Sequence, residues 1–100
     1  MKKLVPDPPL GSISQTATTA FGTCDAGHAP LFSVRAGINA EDALVHASLY
    51  LQCTCDAAHR LSEKVDQETR SLVWTLLHSA ESAKALIDAL LDGIEDSAGR

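Results

Sequence analysis

Rings are scarce in this chain: two phenylalanines, one tyrosine and one tryptophan among one hundred residues leave little for an aromatic core. Long hydrophobic runs are missing too, so no membrane-spanning segment is expected. Met1-Lys2-Lys3-Leu4-Val5 opens like a secretory leader, but Pro6-Asp7-Pro8-Pro9 stops the apolar run after two residues. Positive charge is sparse where it would matter. Over residues 39–96 eleven acids oppose four bases, a poor match to phosphate backbones, and direct nucleic-acid binding is not expected. Cysteine is too rare and odd in number, at three, for a disulfide framework. A reducing, cytoplasmic setting follows as the expectation. Proline is absent beyond Pro30, so nothing forbids helix over the last seventy residues.

What the chain does have is a heptad-like pattern. From Thr69 to Ile94 small or apolar residues recur at Thr69, Val73, Leu76, Ala80, Ala83, Ile87, Leu90 and Ile94, in steps of four and three. Leu72 and Leu86 flank this line on one side, Leu77 and Leu91 on the other. A helix with an apolar line and two apolar flanks needs more than one neighbour. The preceding helix starts at Asn39-Ala40-Glu41-Asp42, where Asn39 is placed to cap and the two acids suit the positive end of the helix dipole. Its inner face reads Leu44, Ala47, Leu51, Cys55 and Ala58. Asp66-Gln67-Glu68 is a second cap, which predicts a turn near 64–66 and two antiparallel helices, with one unbroken helix as the alternative. Gly93 marks the expected C-cap, with a further turn open because Ile94 keeps the phase. Residues 97–100 should fray.

The first third is polar and holds all four prolines, so residues 1–29 are expected to be a flexible tail and 30–96 the folded domain. Within the latter, Phe32 and Val34 alternate like a short strand. It has no evident sheet to join in its own chain, so it should lie over the helices or pair with a second copy. The fold class expected is all-α: an antiparallel helical hairpin with a short N-terminal strand, dimerising into a four-helix bundle. Val73, Leu76, Ala80, Ala83, Ile87 and Leu90 are the expected dimer core.

Few constellations point to chemistry. Gly22 to His28 has the glycine spacing of a phosphate loop, but His28 stands where lysine is required. Cys24-x3-His28 and Cys55-x3-His59 repeat one spacing, yet Cys55 falls on the inner helix face and the spacing is not a finger's. No metal ligands and no cofactor are assigned. No nucleophile–base pair stands out, so an enzyme is not expected. Trp74 is either covered by the N-terminal strand or exposed as an anchor; with His78, Glu81 and Asp88 it forms the candidate partner-binding strip.

The stretch from Pro30 to Ser48, with Lys2-Lys3-Leu-Val-Pro-Asp-Pro-Pro9 and Ala83-Lys-Ala-Leu-Ile-Asp88, resembles a family of small uncharacterised pseudomonad proteins, a domain of unknown function. That resemblance implies an intracellular helical protein and supplies no activity. The function expected is a regulatory, non-enzymatic interaction module acting as a homodimer. By analogy of build its partner would be another protein such as a transcription regulator, occluded as an anti-activator would do. A metal- or redox-responsive sensor using Cys24, Cys53 or Cys55 is the alternative.

Overall fold

The computed structural model describes residues 13–22 and 27–98. Two strands, β1 (Thr19–Phe21) and β2 (Phe32–Val34), precede two helices, α1 (Ala40–Ser62) and α2 (Gln67–Ala98). The chain divides into two compact units, one running to Ala43 and one from Leu44 onward.

In the first unit β2 does find a partner within the chain, which corrects the expectation that none exists. It pairs antiparallel with β1, with Thr19 opposite Val34 and Phe21 opposite Phe32. The directly opposed rings of Phe21 and Phe32 stack with centroids 5.7 Å apart, the kind of cross-strand contact that stabilises a ribbon. Further along, Gln15 bridges Asn39, so four steps on one side face five on the other. Gly37, at φ 87°, lies within the longer side, where an extra residue makes a bulge. Thr16 fastens this region: its hydroxyl donates to Arg35 O (2.6 Å) and accepts from Ile38 N (3.0 Å). Asn39 then caps α1, its Oδ1 accepting from Glu41 N (2.9 Å) and Asp42 N (3.2 Å).

In the second unit the rest of α1 and α2 form an antiparallel pair, joined by a turn at residues 63–66. Asp66 Oδ1 accepts from Thr69 N at 2.8 Å and starts α2 as expected. Arg70 reaches back over the turn, donating through Nε to Ser62 O at the end of α1 and through Nη2 to Val65 O in the turn itself. Small residues let the helices approach: Ser48, Cys55, Ala58 and Ser62 are buried on α1, against Val73, Leu77 and Ala80 on α2. Leu51 and Val65 pack against this group. Among the described residues Leu77 is the one large side chain fully buried, at 1% exposure.

Gly93 is not a C-cap. The helix runs through it to Ala98, and its φ is not among the left-handed ones. Ile94 is partly buried and continues the inner stripe, so packing carries the helix past the glycine. Neither this end nor the turn leaves room for the single-helix alternative.

Candidate functional interface

The interior of the helix pair follows a strict repeat. On α2, Val73, Leu77, Ala80, Lys84, Ile87 and Leu91 are buried or partly buried; on α1, Leu44, Ser48, Leu51, Cys55, Ala58 and Ser62 are. Each set steps by four and three, and each position therefore has a neighbour about 100° away on either side. Because the helices are antiparallel, residues that precede interior positions line one side of the pair, and residues that follow them line the other.

The preceding side is apolar. On α2 it reads Leu72, Leu76, Ser79, Ala83, Leu86 and Leu90, and its four leucines are between 58% and 70% exposed. On α1 the same side carries Ala47, Tyr50, Ala57 and Leu61, with Tyr50 largely exposed. Four heptad-spaced leucines in water on one helix, beside an aromatic from the other, exceed the scattered exposed apolars of ordinary surfaces.

The six expected dimer-core residues are thus divided by the structure. Val73 and Ala80 are buried inside the single chain, Ala83 and Ile87 are half-buried, and Leu76 and Leu90 are exposed. The line read from the sequence takes alternate members of two stripes, one facing α1 and one facing outward. Leu77, expected as a flank, lies at the centre of the core.

The following side is more polar, although α1 adds the exposed Val45 and Leu49 to it, and it collects all four candidate partner-binding residues: Trp74, His78, Glu81 and Asp88. Trp74 is 49% exposed and meets the His59 ring edge-on, centroids 6.1 Å apart. His59 Nε2 lies 3.8 Å from Glu81 Oε2, so Trp74, His59 and Glu81 form one cluster across the two helices. Asp88 is engaged differently. Its Oδ1 accepts from the buried Ser48 hydroxyl and its Oδ2 from Lys84 Nζ, both at 2.7 Å. Those two hydrogen bonds, Lys84's foremost, hold its carboxyl below the ordinary aspartate range. Asp66 is lowered as well, chiefly by the Thr69 backbone N–H. Asp88 is therefore tied into the helix–helix contact, while Trp74 and Glu81 remain presented at the surface. Sequence reasoning missed this clip because it placed Ala47 on the inner face of α1, where the structure puts Ser48.

As for the thiols, Cys55 is buried in the core and Cys53 is exposed, both free. Cys24 and the middle of the glycine-containing loop lie outside the described residues. Among the described residues no group of three or more His, Cys, Asp or Glu side chains is placed to hold a metal ion. Among the described residues no helix is long and apolar enough to cross a membrane. Residues 31–93, from the start of the β2 region to near the end of α2, match a family of unknown function. No curated protein and no solved structure matches the chain.

Proposed function

This chain belongs to that family, DUF6124, and we propose that it is a small, non-enzymatic, regulatory interaction module that works in the cytoplasm as a homodimer. The observation that carries the reading is the exposed leucine stripe of α2. Among the described residues the chain's own core holds five buried apolar residues, of which two are alanines and one a cysteine. So small a core rarely stabilises a domain without help from a partner, metal or disulfide. A second copy would cover the stripe and supply the missing burial, giving a four-helix bundle. The polar side then remains for a protein partner such as a transcription regulator, with Trp74 as aromatic anchor and Glu81 as part of an acidic rim suited to a basic surface.

Light scattering on the full chain tests the first element of this reading. The expected mass is that of a dimer at micromolar concentration, reduced to a monomer's by Leu76→Asp. A monomeric mass with a sharp, cooperative melt would overturn it.

A further inference from the structure

Resting on that homodimer reading, we infer that the second copy docks with its α2 antiparallel to α2 of the first, the two-fold axis level with Glu81. Read by size, the stripe is a palindrome. Leu72, Leu76, Ser79, Ala83, Leu86 and Leu90 run large, large, small, small, large, large, and their spacing is the same in either direction. A two-fold axis perpendicular to the helix, at position 81, brings Leu72 onto Leu90 of the second copy and Leu76 onto its Leu86. Ser79 and Ala83 face one another in the middle, where small side chains let the helices come close and the flanking leucines interlock.

Charge agrees with size. The chain is acidic, with a formal net charge of −5, so two copies meet best where neither presents a carboxylate. None of the stripe residues is ionisable. The next row outward (Ser71, Thr75, Ser82, Ala85 and Ala89, interrupted only by His78) carries no Asp, Glu, Lys or Arg. Glu81 sits about 200° around the helix from the stripe, so the axis at its level does not bring two glutamates together. The area is also sufficient. With Tyr50 (71% exposed) and Leu61 (46%) from α1, the four leucines form an exposed apolar patch on the order of several hundred Å², the scale of the roughly 800 Å² that each partner buries in a standard interface.

Cross-linking distinguishes this arrangement from the others. In a full chain with Cys24, Cys53 and Cys55 replaced by Ser, Ser and Ala, Ser79→Cys and Ala83→Cys are made separately, with different tags. Circular dichroism checks that each keeps its helix content. The axis sets position 79 opposite 83 of the other copy and about 6 Å along the helix from that copy's own 79. The first pair is within disulfide reach and the second is outside it. On mild oxidation, mixed and subunit-exchanged variants should form the cross-linked heterodimer roughly tenfold faster than either variant cross-links to itself. Faster self-cross-linking of each single variant would show a parallel alignment and overturn the inference. So would an absence of any cross-link while light scattering still reports a dimer, since α2 would then pack against α1 or by another face. A monomeric mass would instead overturn the homodimer reading beneath it.

Discussion

At Leu77 a truncation to alanine removes a side chain that is 1% exposed, and an expected loss of about 2–5 kcal/mol follows from the cavity left among small neighbours. One position earlier, Leu76 is 63% exposed in the single chain. On the proposed homodimer reading its truncation should weaken the protein only where copies meet, so the loss should shrink on dilution while that of Leu77→Ala does not. Urea unfolding at two protein concentrations tests the contrast. Asn39→Ala removes an acceptor for two first-turn N–H groups and should lower stability by about 1 kcal/mol. The two depressed carboxyls set a pH dependence. Because Asp66 and Asp88 hold their protons less tightly folded than unfolded, their stabilisation is complete above the ordinary aspartate pKa of about 4 and drains away as pH falls through their folded values. The urea midpoint should therefore fall on acidification below about pH 4, and less steeply in Asp88→Asn. An identical slope in that variant would count against the Ser48–Asp88–Lys84 clip.

Among the elements, both helix starts were legible in the sequence because capping is local chemistry: Asn39 and Asp66 each act on N–H groups two or three residues ahead. The short strand β2 was legible for a similar reason, in the alternation of Phe32 and Val34. Its partner was not. Thr19-Ala20-Phe21 sits in a run of threonine and alanine with no alternation of its own, and only the pairing across the ribbon gives it a strand's shape. Gly93 misled because glycine is both a helix stop and a tolerated interior residue, and Ile94 decides between the two through packing. Gly93→Ala is accordingly expected to stabilise α2 by about 0.5–1 kcal/mol, since a Cβ there meets nothing within 4 Å and the backbone is helical. A true C-cap would give a loss, and the sign of the melting shift decides. Gly22 behaves oppositely. At φ 80°, with an added Cβ only 2.9 Å from Phe32 Cδ2, it should not accept alanine without loosening β1 from β2, visible as faster amide exchange in both strands.

For the whole molecule, the candidate site was legible as composition and blurred as geometry. The sequence showed that α2 carries more apolar surface than one neighbour can cover. It did not separate the two stripes, because they are offset by a single residue and interleave at every heptad. Only the burial of Leu77 beside the exposure of Leu76 tells them apart. The four-residue connection at 63–66 has a consequence in time. Most of the second unit's contacts lie within its two helices and the turn between them is short, so the hairpin should form in about microseconds to milliseconds. On the proposed homodimer reading, pairing would be second order in the chain, and synthesis rate would control how much protein is paired. On the same reading, low expression would leave both the leucines and the small core without their cover, so abundance would set how much of the protein is folded as well as how much is paired.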